Sequence, residues 1–308
     1  MSLTSIITGK ERQELRDKFK TVFPRPDFNV NVNIVARSST TNNSSIVGAA
    51  FDYLLRLYLE HRRKGKVHSS GEWVADNAFK NLFALSKINK SKKIAVGFKK
   101  DILINRNHFE YTLVSEYIDA KGNYDKYLEN GVLTDGLIKS SLFLARLDVY
   151  YRSGIIDPNF GKENDLDIAD IQNIFKHINS KDFNVKKHCY INPNFGNASI
   201  LVQGADADII IDDLLIDIKV TKDIKLERND LNQVIGYYIL SLIGGINKEE
   251  NLKPVKNIAI YFARYGFLWK YPLSNFVNEQ AIEEFKNWFI NYINQKVWHK
   301  KIRKTNRS

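Results

Sequence analysis

Two apolar runs flanking an acidic pair, Ile209-Ile210-Ile211-Asp212-Asp213-Leu214-Leu215-Ile216-Asp217-Ile218-Lys219, constrain this chain more than any other segment. Short runs this rich in Ile and Leu read as buried strands, and the Asp-Asp pair between them reads as a tight turn. If the turn centres on Asp212-Asp213, Ile211 faces Leu214, and counting outward sets Asp208 opposite Asp217 and Asp206 opposite Lys219. Directly opposed residues have Cβ atoms roughly 4.5–5.5 Å apart. Alternation then sends Leu214, Ile216, Ile218 and Val220 into one core, and Leu215, Asp217, Lys219 and Thr221 to the other face. A bulge at the turn would shift this register by one residue.

Two carboxylates held at that separation repel unless a cation lies between them. Mg²⁺ characteristically takes one or two carboxylates and fills its shell with water and phosphate oxygens. Asp208 is therefore the preferred partner of Asp217, with Asp206 as the alternative. A solvated Asp–Lys pair on an edge strand is the plainer reading of Asp217-x-Lys219, but the surrounding strand is apolar enough to be central.

Around the hairpin the periodicity divides the chain. Residues 1–180 read as mainly helical, with stripes over Ser45 to Arg63, Glu72 to Leu85, Phe109 to Leu128, Thr134 to Tyr151 and Asp165 to Ile178. Turn-forming joints lie at 129–136 and 153–165. From about residue 185 the pattern changes. Val185 to Asn192 reads as a strand, and Ser199 to Ile211 as a long strand bent at Gly204. Leu214 to Thr221 follows as a strand, and Glu227 to Leu242 as a helix ending at Gly244-Gly245. Lys256 to Arg264 and Phe267 to Tyr271 read as strands, and Ala281 to Trp298 as an amphipathic helix. This order predicts an α/β (α+β) fold with a mixed sheet flanked by helices. The regions are 1–180, helical; 181–275, the sheet-bearing core; and 276–308, a C-terminal helix and basic tail.

Composition and the opening residues add four constraints. No run reaches the roughly 20 apolar residues of a membrane helix, so no membrane partner is expected. The single cysteine, Cys189, excludes an internal disulfide framework. With no apolar leader over Met1 to Lys10, cytoplasmic residence is the expectation. The net charge of +11 suits a polyanionic partner. Its densest clusters are Lys87 to Lys100 and the tail residues Lys296, Lys300, Lys301, Arg303, Lys304 and Arg307, where a solvated tail is the commoner outcome.

Gln233 and Tyr237 stand i and i+4 on the predicted helix, so both fall on one face. A core tyrosine beside a surface glutamine explains the pair alone. Following Asp217-x-Lys219 at this distance, the pair is more specific. Taken together, Asp208, Asp217-x-Lys219 and Gln233-x-x-x-Tyr237 resemble the PD-(D/E)XK nuclease superfamily, and the last motif resembles its RecB-like exonuclease branch. The resemblance covers residues 185–271, with Ala207 where a proline usually precedes the first acid.

That resemblance implies a restriction-endonuclease-like core and hydrolysis of DNA phosphodiester bonds with Mg²⁺ or Mn²⁺. Asp208, Asp217 and the main-chain carbonyl of Ile218 would hold the metal, Lys219 would orient or help deprotonate the attacking water, and Gln233 and Tyr237 would position the site and the DNA backbone. Relatives often carry an upstream Gly-x-x-x-His helix, for which the counterpart here is Gly48-Ala-Ala-Phe-Asp52. Asp52 is thus a further ligand candidate, with Glu60, Glu116, Asp148, Asp167 and Asp170 as rivals. DNA repair and defence against foreign DNA are the settings this implies. Two other classes fit the same residues: a non-catalytic nucleic-acid-binding module, and a subunit of a larger DNA-processing complex joined through the helical region.

Aromatic residues crowd Tyr261 to Tyr271, where core packing is a commoner role than base stacking. Arg146, Asp148 and Arg152 interrupt an apolar helix and suit either a buried ion pair or contact with DNA.

Overall fold

The structure is a computed structural model that describes residues 2–10, 12–37, 43–69, 73–88, 91–97, 102–247, 249, 254–276 and 278–298. In chain order the helices are α1 (Leu3–Thr8), α2 (Gln13–Val22), α3 (Ser44–Arg62), α4 (Val74–Ile88), α5 (Arg106–Asn130), α6 (Asp135–Ser153), α7 (Asp165–Phe175), α8 (Asn197–Leu201), α9 (Arg228–Gly244) and α10 (Glu279–Ile293). The strands are β1 (Val67–His68), β2 (Lys93–Val96), β3 (Ile102–Asn105), β4 (Cys189–Ile191), β5 (Ile209–Ile211), β6 (Leu214–Lys219), β7 (Asn257–Phe262) and β8 (Phe267–Pro272).

A six-stranded sheet runs in the order β1-β4-β5-β6-β7-β8, and β2 and β3 form a separate hairpin. The large sheet is mixed: β1–β4 and β6–β7 are parallel, and the other pairs are antiparallel. Parallel neighbours need a crossover, and α9 supplies it between β6 and β7. The chain is therefore an α/β protein with a central mixed sheet flanked by helices.

The turn at Asp212-Asp213 forms as expected, with Ile211 paired to Leu214 and Ile209 to Ile216. Asp212 takes the left-handed conformation at φ 53, which Asp tolerates better than most residues. Its carboxylate accepts the amides of Lys187 and His188 at 2.8 and 3.1 Å, so the turn also clamps the approach to β4.

Alternation along β6 divides the core. Leu214 and Ile216 pack with Ile209, Cys189 and Tyr261 against α3, α6 and α7. Leu215 packs on the opposite face with Ile210, Ile258 and Phe262, against α1, α2, α9 and α10. The aromatic residues of β7 and β8 serve this packing: Tyr261 stacks edge-on against Phe183 and Trp269 against Phe28, at 4.8 and 6.0 Å between ring centres. Tyr265, in the turn between these strands, instead donates its hydroxyl to the Lys222 carbonyl at 2.6 Å. Helix boundaries follow local chemistry. Thr134 accepts from the Leu137 amide to start α6, and Gly154, at φ 70, ends it.

The region up to residue 180 is joined to the sheet rather than set apart. Its β1 forms one sheet edge on β4, and α3, α6 and α7 cover one face. Arg264, after β7, makes a two-pronged ion pair with Asp170 of α7 at 2.7 and 2.8 Å, with both side chains 1% exposed.

Several expected elements differ. The long strand over Ser199 to Ile211 is the short helix α8, a turn at Gly204 and a three-residue strand. There the Ser199 hydroxyl bonds the Ala205 carbonyl at 2.6 Å and the Phe195 amide at 2.9 Å, folding the segment back on itself. Val185 to Asn192 contributes only Cys189–Ile191 as strand. The final helix gives way to a π-helical turn at Asn294–Trp298. Helices α1 and α2, strand β1 and the β2–β3 hairpin had no counterpart in the sequence reading. The basic tail beyond 298, and residues 89–90 and 98–100 of the lysine cluster, lie outside the described residues.

Candidate active site

Three elements meet at the C-terminal end of β6. Asp208 immediately precedes β5, Asp217 and Lys219 alternate onto the same face of β6 as Leu215, and α9 lies over that face. The β5–β6 register, whose last pair is Ile209–Ile216, directs Asp208 toward Asp217. It stops short of a regular ladder pair, because the Ile218 amide donates to the Asp208 carboxylate Oδ2 at 2.7 Å. A side chain has replaced a backbone carbonyl as the acceptor, and the strands open beyond this point.

Asp217 is 1% exposed. Its Oδ2 lies 2.8 Å from Lys219 Nζ but accepts no well-directed hydrogen bond. We read the contact as an ion pair with spare acceptor capacity. Burial pushes the Asp217 carboxyl up to about 7; Lys219 opposes the rise, and Asp208 adds to it. Burial works against the charge of Lys219, but Asp217 and Asp230 more than offset it and raise its pKa. The ammonium also reaches Asp230 at 3.4 Å and donates to Gln233 Oε1 at 3.3 Å. Gln233 Nε2 then donates to the Tyr237 hydroxyl at 3.0 Å. Burial, with Asp208 and Asp217 nearby, keeps the Tyr237 hydroxyl protonated. The structure thus joins Lys219, Gln233 and Tyr237 in one chain of contacts.

Asp52 lies on α3 and is held by Arg56, one turn later, through Nε and Nη2 of one guanidinium edge, with the Nε contact at 3.1 Å. Burial raises its carboxyl to about 7; Arg56 pulls the other way, and Asp208 and Asp148 add to the rise. The charge of Asp208 thus acts on both Asp52 and Asp217. α3 runs close to the end of β6: a Cβ built at Gly48 would sit 3.8 Å from the Val220 Cβ, an ordinary contact.

The alternative ligand Asp206 departs from expectation. It does not face Lys219. It bridges Asn194, its side chain is exposed, and the cations that act on it are Arg152 and Arg56. The cause is the early end of the β5–β6 ladder, which leaves residue 206 on the β4 side. The rival acids serve other contacts. Tyr124 donates to Glu60, Tyr53 to Asp148 at 2.7 Å, and Asn43 to Asp167 at 2.8 Å, while Asp170 holds Arg264. Glu116 is raised by burial and by Asp119, against Lys139. Arg146 is buried against Glu163 and Asp157, which makes it structural.

Two site residues were missed. Asp230 is one turn before Gln233 on the same helical face, and Arg56 is one turn after Asp52. Helical spacing from residues already chosen was the available signal.

The donor set suits a hard divalent ion in part. Asp208 has one oxygen that no donor reaches among the described residues, Asp217 has a buried oxygen lacking a directed donor, and the Ile218 carbonyl lies between them in sequence. Among the described residues no three His, Cys, Asp or Glu side chains are gathered closely enough to hold one ion. A pair of carboxylates meets the requirement of Mg²⁺, which keeps several waters. An open cleft of about 500 Å³ adjoins the site, lined by Ser44, Ser45 and Gly48 of α3 and by Lys219, Lys222 and Asp230.

No family model, curated protein or solved structure matches the chain. Among the described residues no helix is long and apolar enough to cross a membrane.

Proposed function

We propose that the chain is a divalent-metal-dependent nuclease that hydrolyses DNA phosphodiester bonds, with a restriction-endonuclease-like core. The observation that carries the reading is Lys219, gripped by Asp217, Asp230 and Gln233 beside Asp208 at an open cleft. A buried lysine and carboxylates held this rigidly form an electrostatic device aimed at a developing charge.

Asp208, Asp217 and the Ile218 carbonyl would hold Mg²⁺ or Mn²⁺. Such an ion lowers the pKa of a coordinated water and offsets negative charge on phosphoryl oxygens. Lys219 carries its charge at neutral pH, which suits it to orient the nucleophile and face the anionic transition state rather than take up a proton. Tyr237 receives a hydrogen bond from Gln233 and retains its own proton to donate toward a phosphate oxygen. Lys222 in the cleft wall, and the net charge of +11, favour a polyanion there.

The test is incubation of the purified protein with linear and circular, single- and double-stranded DNA in Mg²⁺ or Mn²⁺. Cleavage that EDTA stops, and that Asp217→Asn and Lys219→Ala lose, supports the assignment. Equal cleavage by wild type and Lys219→Ala, or none by wild type, removes it.

A further inference from the structure

Positive charge collects at the end of the sheet away from Lys219. β1 pairs with β4 in parallel, Val67 with Cys189 and His68 with Tyr190, and the Cys189 amide donates to the Lys66 carbonyl at 2.8 Å. This pairing sets two basic stretches, 120 residues apart, side by side. Arg62, Arg63, Lys64 and Lys66 come from the end of α3 and the turn after it, and Lys186 and Lys187 come from just before β4. All but Arg63 are exposed. The acids beside them are fewer: Asp212 and Asp213 of the β5–β6 turn, and Glu249, which accepts the Tyr190 hydroxyl at 3.1 Å.

The backbone that carries these cations is tied down. The Asp212 carboxylate accepts the amides of Lys186 and Lys187 at 3.0 and 2.8 Å. The Lys66 amide bonds the Arg63 carbonyl at 3.0 Å, and its ammonium reaches the carbonyl of Lys186 at 3.1 Å. Three rings stand at the same place. His68 lies flat on the buried Tyr190 ring, with centres 4.8 Å apart and planes 16° apart. His188 joins them, its Nδ1 3.2 Å from His68 Nε2. Both histidines are exposed, so His68 turns its outer face to solvent while Tyr190 holds it from beneath.

We propose that this face is a second nucleic-acid contact, separate from the cleavage site, which takes a single strand: the cations meet its phosphates and His68 stacks on an unpaired base. A basic surface joined to an exposed ring face binds single strands with little regard to sequence. In a duplex the bases stack on one another and offer no free face, and an anionic membrane or acidic peptide would use the cations but not the ring. The inference stands on the patch itself and goes beyond the nuclease reading. Cys189, Ile211 and Leu214 lie in register across β4, β5 and β6, and Lys219 is at the far end of β6. At roughly 3.3 Å per residue and 4.8 Å per strand, the patch is about 20 Å from Lys219. A strand held at both places must span that gap, and a short oligonucleotide reaches only one.

The experiment is fluorescence anisotropy of the full chain in EDTA, over a range of salt, with labelled oligothymidylate of about 30 nucleotides and with a duplex of matching length. Lys64→Ala, Lys186→Ala and Lys187→Ala together should weaken single-strand binding at least tenfold. The slope of log affinity against log salt should become shallower by roughly 2, since each phosphate contact on a single strand contributes about 0.7. His68→Ala should weaken single-strand binding about fivefold with the slope unchanged, and should leave duplex binding as it was. These side chains are exposed, and Lys66, which bonds the backbone, stays in place. Equal binding by wild type and the triple variant overturns the proposal, as does an equal loss for both DNA forms in His68→Ala. Wild type that binds phosphatidylserine vesicles but neither DNA form overturns it too. Since EDTA removes any metal-dependent step, these outcomes leave the nuclease reading untouched, and an absence of cleavage in Mg²⁺ or Mn²⁺ leaves the patch standing.

Discussion

The Ile218 amide donates to Asp208 across 2.7 Å, and this bond fixes the acid that precedes β5 against the strand that carries Asp217 and Lys219. A backbone donor on a carboxylate sets both its position and its orientation. Asp208→Asn preserves the shape but replaces an anion that accepts in any direction. We expect cleavage to fall at least a hundredfold with little change in melting temperature, as read from a DNA cleavage time course and a thermal melt.

Gln233 links Lys219 to Tyr237, so its loss should act through them. Gln233→Ala should lower kcat by roughly 10- to 100-fold, the scale of one positioned hydrogen-bonding group. Tyr237→Phe should cost less, because the ring stays buried and only the hydroxyl is lost. An unaltered kcat in Gln233→Ala would mean that the Lys219 contacts do not bear on the reaction.

Asp217 should make the metal-free protein sensitive to pH. Its folded pKa, about 7, lies above the ordinary 3.8, so folding favours the protonated form. Its contribution is fully present below about pH 4 and is lost as pH rises toward 7. Asp217→Asn cannot ionise at this position. In EDTA, its melting temperature relative to wild type should therefore improve between pH 5 and pH 8. Added Mn²⁺ should raise the melting point of wild type but not of the variant.

Asp170 separates structural acids from site acids. Breaking a buried ion pair by removing one charge costs about 3–5 kcal/mol. Asp170→Asn leaves Arg264 uncompensated and should lower the melting temperature by roughly 6 °C or more. The protein that remains folded should still bind Mn²⁺ as wild type does.

Gly244 offers a test of the fold alone. A Cβ built there would lie 2.0 Å from the Phe195 carbonyl oxygen and 2.9 Å from the Ala198 Cβ, so Gly244→Ala must push α8 and α9 apart. The expected loss is at least about 2 kcal/mol, measured by chemical denaturation. Gly48→Ala, with 3.8 Å to Val220 Cβ, should be nearly neutral.

The hairpin was legible because its pattern is local. Apolar triplets around Asp212-Asp213 leave one register that buries both faces, and the observed ladder keeps it from Ile211–Leu214 to Ile209–Ile216, one pair short of Asp208 and Asp217. Helices α3, α5, α6 and α9 were legible from their apolar stripes, and the end of α9 from Gly244-Gly245. What stayed hidden depends on contacts made at a distance. Ser199 to Leu201 has strand-like composition, and only the Ser199 hydroxyl bonds to Phe195 and Ala205 turn it into a helical segment. Helix α1 is six residues long, too short for periodicity to declare, and exists because Leu3 packs against Gly236 of α9. Asp206 lost its expected place opposite Lys219 because the β5–β6 ladder ends at Ile209–Ile216 and residue 206 bridges Asn194 instead, which no spacing reveals.

The acids of α3 and those of the β5–β6 hairpin lie on segments far apart in the chain. The Tyr53–Asp148 contact alone spans 95 residues. Pairings this remote in sequence form slowly, since a long loop must close before any contact rewards it. While the chain is being made, the β5–β6 hairpin can form by itself, but the acids from the two halves remain far apart and do not repel. The site therefore comes into being only in the finished molecule, and a half-folded chain holds its acids apart.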